Sequence, residues 1–325
     1  MNQKLDWSLF HARLHQKIKQ SAILPKQANI LIAVSGGQDS LCLSKLLLDL
    51  KPKWQWNIAI AHCDHNWATD VGIAYHVEKI ATNWSIPFYL KKAYNLKETE
   101  AAARKWRYRA LLEIAETYDF EYIVTGHTKS DRAETFLYNL IRGAGADGLS
   151  SLSWQRNLTA DIKLVRPILD FTRAETLEFC QQFNLPIWVD AVNSNLKYAR
   201  NRIRQDLIPY LQANFHPQVE NSLVQTAELL RADAHYLETQ AAELLTTITS
   251  SDNRQLNRTK LQQIPLALQR RIIRQFLPDI IHKQPNFEQI EAVRNLIDAN
   301  NKTRTSTLAK DVFAEVSGEW IIFKG

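Results

Sequence analysis

Between Asn29 and Leu41 the chain reads NILIAVSGGQDSL, a continuous apolar run set directly against two glycines, an aspartate and two serines. Ile30 to Val34 does not alternate with polar residues, so it predicts a strand buried on both faces, as in parallel sheets. Leu41, Leu43, Leu46, Leu47 and Leu50 then recur at helical spacing. The glycines therefore fall between a strand end and a helix start, where unpaired backbone N–H groups and the helix dipole favour an anion. Phosphate is the expected ligand. A Walker A loop would need a Lys before the helix Ser or Thr, and a dinucleotide fingerprint would need a third, spaced glycine; this loop has neither. The ordinary alternative is a turn in which Asp39 or Ser40 caps the helix.

Similar apolar runs recur at Ile58 to Ala61, Pro87 to Leu90, Tyr122 to Val124 and Leu164 to Leu169, most of them separated by helical patterns. This spacing predicts an α/β fold: a mostly parallel, doubly wound sheet with its ligand site at the carboxyl ends of the strands. The unit is expected to close near Asn214, where NFHPQ breaks the pattern. Leu223, Ala227, Leu230, Ala234, Leu237, Ala241 and Leu244 then mark one long helix with a single apolar seam. That seam would pack within the chain or, as the alternative, form a homodimer. Two further helices over Leu261 to Leu277 and Phe287 to Ile297, and a strand pair over Ser306 to Phe323 turning at Ser317-Gly318, complete a small α+β domain. The expected divisions are 1–215, a linking helix at 216–250, and 251–325.

Composition narrows the function classes. At 325 residues with 45% hydrophobic content, the chain can form more than one packed core. Its N-terminus mixes charges along its length and no 18-residue apolar stretch exists, which predicts a cytoplasmic protein with no membrane partner. Three cysteines, Cys42, Cys63 and Cys180, include no C-x-x-C pair, so neither a disulfide framework nor a thiolate zinc site is supported. The formal charge of +6 permits a nucleic-acid partner without requiring one.

Two further stretches carry candidate chemistry. Ala61-His62-Cys63-Asp64-His65 ends the second predicted strand. Its crowded ligands make poor zinc geometry, and a place beside a nucleotide is the better expectation. The stretch after the fourth strand brings Asp131 and Glu134 onto one helix face beside His127. A capping box over the same two carboxylates is the structural alternative.

The Ser35-Gly36-Gly37-Gln38-Asp39-Ser40 loop resembles the SGGxDS loop of the N-type ATP pyrophosphatases (the PP-loop superfamily), which cleave ATP between its α and β phosphates. In that setting the glycines let amides approach pyrophosphate, the serines donate, and Asp39 can ligate Mg²⁺. HCDH, AAARKWRYRAL, GHTKSDRAETFLYNLIRGAG, VRPIL and RNRIRQDLIPYL follow in order, and over residues 27–212 the set resembles the tRNA(Ile)-lysidine synthetase family. The C-terminal part looks like that family's small tRNA-binding domain. Two departures stand out: Ala68 occupies the place of an Arg, and Asp147 that of a frequent basic residue.

The resemblance implies ligation of free L-lysine, through its ε-amine, to C2 of the wobble cytidine in the CAU anticodon of tRNA(Ile). ATP would activate the base as an adenylate. Asp39, His127, Asp131 and Glu134 become the expected catalytic group, with Asp39 as metal ligand. The phosphate loop, with His62, Asp64 and His65, would hold ATP. Arg104, Arg107 and Arg142 are the cations available for the lysine carboxylate, and Lys197, Arg200, Arg202 and Arg204 could hold the RNA backbone, a solvated helix face being the alternative for that second set. A tRNA 2-thiolating enzyme is the near alternative, testable by whether Cys63 and Cys180 can meet. A glutamine-dependent synthetase is disfavoured because Asn2 stands where its Cys nucleophile would be. A non-catalytic nucleotide-binding module is the remaining alternative.

Overall fold

The computed structural model describes residues 7–150, 152–188, 199–251 and 253–325. The chain divides into two units, Met1–Glu228 and Leu229–Gly325. The division falls inside the long helix.

In the first unit, α1 (Leu9–Ser21) precedes β1 (Asn29–Ala33), α2 (Gln38–Trp54), β2 (Asn57–Asp64), α3 (Ile73–Asn83) and β3 (Phe88–Lys92). Then come α4 (Glu100–Thr117), β4 (Tyr122–Thr125), α5 (Lys129–Ile141) and the short α6 (Ala146–Leu149). β5 (Gln155–Asn157), β6 (Lys163–Val165) and α7 (Arg173–Gln182) follow, and α8 (Ala199–Arg202) runs through a π-turn at Ile203–Leu207 into α9 (Ile208–Asn214).

The sheet order is β3-β2-β1-β4-β6-β5, parallel except for the edge strand β5. Ile30 and Ile32 of β1 join the core built with α1, α2 and α7, while Leu31 joins the opposite core with Leu111 and Ile114 of α4. That two-sided burial is why the run is apolar without alternation. β5 escapes the sequence pattern because Gln155, Arg156 and Asn157 are all exposed. The Leu164–Leu169 run is strand only as far as Val165; the buried Arg166 then turns away, its Nη1 donating to the Ser153 carbonyl at 2.6 Å.

The long helix, α10 (Val219–Ile248), carries buried Ala227, Ala234, Ala241 and Ile248 at a seven-residue period, with the seam leucines only half-buried. In the second unit, β7 (Gln255–Asn257), α11 (Arg258–Gln262), α12 (Leu266–Ile281), α13 (Phe287–Arg294), β8 (Phe313–Ser317) and β9 (Trp320–Lys324) form one core. The helix expected from Leu261 is two helices, because Pro265 starts α12 and lacks the N–H that a continuous helix would need. β9 is paired on both sides in the order β7-β9-β8. The third strand, β7, is too short and polar to read in advance.

Ile321 is fully buried at the centre of this three-stranded sheet. Ile321→Ala is expected to destabilise the second unit by about 2–5 kcal/mol. Hydrogen exchange should show faster exchange in β7, β8 and β9, with β1 protection unchanged.

Candidate active site

Parallel pairing of β1 with β2 and β4 puts the carboxyl ends of all three strands side by side, and the loops leaving them build one site. After β1, Gly36 takes a left-handed φ of +85°, which a residue with a Cβ would adopt only under strain. Its carbonyl accepts from the Trp188 amide at 2.9 Å. Gly37 is the N-cap of α2 and has no side chain to fill the helix N-terminus. The first helical bond is Leu41 N–H to the Gly37 carbonyl, 3.1 Å, so the amides before it belong to the unpaired helix start. Ser40 Oγ donates to the Gly37 carbonyl at 2.8 Å and accepts from the Ser35 amide at 3.3 Å, closing the loop on itself.

The loop is also held from outside, by α7. Gln38 Nε2 donates to the Arg173 carbonyl at 2.7 Å and to Thr176 Oγ1 at 3.1 Å. Asp39 Oδ2 accepts from Arg173 Nη1 at 3.1 Å, and Asp39 Oδ1 accepts from the Thr176 hydroxyl. The Gln38 side chain is thus a tether to α7. Burial raises the Asp39 pKa, Arg173 opposes the shift, and the charge of Asp131 adds to it. On the far side, a Cβ on Gly126 would lie 2.9 Å from the Asp39 carbonyl, so the turn after β4 rests directly on the loop backbone.

A cavity of about 380 Å³ opens over the loop, walled in part by Ser35, Asp39, His62, His65, Arg173 and Trp188. His62 Nδ1 donates to the Val34 carbonyl at 2.7 Å, and burial lowers its pKa. His65 Nδ1 faces Asp70 Oδ2 at 3.3 Å; its buried Nε2 has no hydrogen-bond partner. The turn that begins at Ala68 supplies Asp70. Asp64 does not line the cavity: its Oδ1 accepts from the Asn66 amide at 2.8 Å and so shapes the turn. Among the described residues, no three or more His, Cys, Asp or Glu side chains are grouped so that they could hold a metal ion together.

A second compartment, about 130 Å³, shares Arg104, Arg107, His127, Asp131 and Arg204 with the first and adds Glu134. Arg204 grips Glu134 with both forks, Nε to Oε1 at 2.6 Å and Nη2 to Oε2 at 2.8 Å, and reaches Asp131 Oδ1 at 3.5 Å. Burial raises the Glu134 pKa against the pull of Arg204. Arg204 is therefore engaged with the carboxylates inside the site. The capping box exists but is built differently from the alternative raised above. Thr128 is the N-cap and Asp131 the third helical residue, with Oδ2 accepting from the Thr128 amide at 2.8 Å and from its hydroxyl at 2.9 Å. Asp131 both caps α5 and presents Oδ1 to the site. His127 Nδ1 lies 2.9 Å from Thr125 Oγ1, and burial pushes its pKa down to about 3.

The other expected cations divide between the compartment and a separate groove. Arg200 pairs with Glu100 at 2.8 Å in the second compartment. Arg142 and Arg202 line a separate groove, and Lys197 lies outside the described residues. Arg173, Thr176, Asp70, Gly126 and Trp188 were not singled out by the sequence. Its T-R-A-E capping box, Thr172 to Glu175, locates the start of α7 but not the loop that α7 holds.

The cysteines take no part in a thiol pair. Cys63 packs in the core on one sheet face and Cys180 in the core on the other, so the two cannot meet across the site. Burial raises both thiols to about 12, leaving negligible thiolate at neutral pH.

Two outcomes follow. Gly126→Ala should displace the phosphate loop and weaken ATP binding at least tenfold while the fold persists, read by calorimetry and far-UV circular dichroism. His127 has a folded pKa below its unfolded value near 6.5, so the folded state binds fewer protons. Its contribution to stability is present above about pH 6.5 and is lost as pH falls toward 3; His127→Asn should flatten the denaturation midpoint over that window.

Residues 9–211 match the PP-loop domain family and residues 251–323 match the TilS-like substrate binding domain family. The chain is 53% identical to the tRNA(Ile)-lysidine synthase of Nostoc sp., over 98% of this chain and 97% of that protein. It is 50% identical to the tRNA(Ile)-lysidine synthase of Synechocystis sp., over 98% and 99%. Among solved structures, the U34-tRNA thiolase of Methanococcus maripaludis with its 4Fe-4S cluster is similar with a TM-score of 0.58 at 16% identity, covering 68% of this chain and 79% of that one, a likeness of fold. With a PP-loop domain match over residues 9–211 and near full-length identity to these synthases, the chain belongs to the tRNA(Ile)-lysidine synthase family.

Proposed function

We propose that this chain joins the ε-amine of free lysine to C2 of the wobble cytidine in the CAU anticodon of tRNA(Ile), consuming ATP and releasing AMP and pyrophosphate. One observation carries the reading: the phosphate-loop cavity and the carboxylate compartment share five side chains, so a nucleotide and an amine can be held on either side of one base.

The chemistry divides into two displacements. The C2 oxygen of cytidine attacks the α-phosphate, the bond to the β-phosphate breaks, and pyrophosphate leaves from the helix N-terminus at Gly37, where backbone amides and the α2 dipole offset its charge. The lysine amine then adds at C2, and the C–O bond breaks with AMP as leaving group. A free lysine amine has a pKa near 10.4, so a proton must be taken from it before attack. Asp131 Oδ1 and Glu134 are the acceptors in place, while Arg104 and Arg107 stand near enough for the lysine carboxylate. His127, uncharged at neutral pH, serves as a hydrogen-bond partner rather than as the base. His65 Nε2, buried in the first cavity without a partner, accepts from the nucleotide.

The donor chemistry also fits Mg²⁺. Asp39 faces the phosphate site, and the burial and the Asp131 charge that raise its pKa are both relieved by a cation there. One or two carboxylates with substrate phosphates are the usual magnesium environment. Bound with ATP, the ion would offset charge on the leaving pyrophosphate. No helix among the described residues is long and apolar enough to cross a membrane.

Incubation with ATP, labelled lysine and an unmodified tRNA(Ile) transcript is expected to leave label in the RNA in step with AMP release; ATP turnover without lysine incorporation would refute the reading. Asp39→Asn should lower the adenylation rate on the order of 10²–10³-fold with little loss of stability. Asp131→Asn should keep ATP affinity and let adenylated tRNA accumulate. Because Arg204 holds the Glu134 pKa down, Arg204→Ala should move the acidic limb of the lysine-transfer profile to higher pH.

A further inference from the structure

The residues from α8 through the π-turn form a wall with two sides. Arg200 and Arg204 face the carboxylate compartment. Ala199, Arg202, Ile203 and Asp206 face away from it, into a groove of about 720 Å³ completed by α5 and the start of α9. The turn closes with Ile208 N–H on the Ile203 carbonyl, a five-residue step that inserts one position into the helix. Such insertions re-aim side chains and are frequent at functional sites.

The groove has a consistent chemistry. Ile203 is buried and Leu207 half-buried, while Ile141 and Tyr210 are large apolar side chains held in water, 68% and 56% exposed. Arg142 stands beside them with its guanidinium fixed: Nη1 donates to the Tyr138 hydroxyl at 2.6 Å, and its carbon lies 5.1 Å from the centre of the Tyr138 ring. Arg200 lies 5.7 Å from the same ring. Asp206, the acidic residue of the groove, is exposed. A flat, sequence-tolerant apolar surface edged by guanidinium groups is how proteins hold an unstacked nucleobase with its phosphate.

We infer that this groove holds the adenine that follows the reacting cytidine in the CAU anticodon. The inference rests on the proposed function. With the cytidine drawn into the compartment on one side of the α8 wall, the next nucleotide is one phosphodiester away and meets the other side. The ring stacks on Tyr210 and Ile141, Arg142 takes the intervening phosphate, and Asp206 accepts from the exocyclic amine, a donor that a uracil in the same place lacks.

The test compares tRNA(Ile) transcripts carrying adenine, purine without its 6-amino group, or no base at the middle anticodon position. Lysine incorporation is measured for the unaltered protein and for Tyr210→Ala, Ile141→Ser and Asp206→Asn. With the unaltered protein, the abasic transcript should lose tenfold or more in kcat/KM, mostly in KM for tRNA, with KM for ATP unchanged. Tyr210→Ala should cause a similar loss on the adenine transcript and little further loss on the abasic one, and Ile141→Ser, at an exposed position, should repeat the pattern should Tyr210→Ala fail to fold. Asp206→Asn should narrow the gap between adenine and purine transcripts. Losses that multiply instead of overlapping, or an abasic transcript used as well as the adenine one, would overturn the assignment. So would a concentration-dependent dimer that Ile141→Ser abolishes with kinetics unchanged, since that gives the groove to a second copy. Absence of lysine incorporation into the adenine transcript would overturn the proposed function itself, a distinct result.

Discussion

Two negative charges face one another at the mouth of the phosphate loop. Asp39 and Asp131 come from different crossovers, after β1 and after β4, and each has a cation at its back: Arg173 behind Asp39, and Arg204 between Asp131 and Glu134. Burial raises the pKa of Asp39 and of Glu134, and Arg173 and Arg204 respectively oppose those shifts. The Asp131 charge contributes to the raised pKa of Asp39, while Arg173 and Arg204 both oppose it. Everything else in the first unit, from the parallel register to the resting of Gly126 on the loop, serves to hold these groups at that spacing.

The parts of this plan that are local in sequence could be read in advance. A two-sided strand, a glycine turn and a leucine helix are contiguous, so the phosphate loop announced itself in thirteen residues. Asp131 and Glu134 were recognisable as a pair because helix geometry puts i and i+3 on one face. What joins them was not readable. Arg204 lies seventy residues from Glu134, and only packing decides that it turns toward the carboxylates instead of outward to RNA. Arg173 and Thr176 were hidden for the same reason: their own sequence reports a helix start, while their function is to hold a loop more than 130 residues earlier. Short edge strands such as β5 and β7 carry no apolar signature because their stability comes from a neighbour's backbone.

Likeness of fold and identity of chemistry separate cleanly in this protein. The architecture is shared with a thiolase that carries an iron–sulfur cluster, yet the three cysteines here are all free, and the two thiols nearest the question lie on opposite faces of the sheet. A sheet can offer the same crossovers to sulfur transfer or to amine transfer. The side chains set at the ends of its strands select between them.

The tethering of Gln38 and Asp39 to α7 bears on how tightly the nucleotide can be held. A glycine loop is the segment of a protein with most conformational freedom to lose, and ordering it at the moment of binding would subtract directly from affinity. Here the loop is already shaped by the side chains of Arg173 and Thr176, by the amide of Trp188 and by the approach of Gly126. The entropy of that ordering was lost once, when the chain folded. In the proposed reaction, each successive nucleotide meets a surface that needs little rearrangement, and the loop keeps its shape from one turnover to the next.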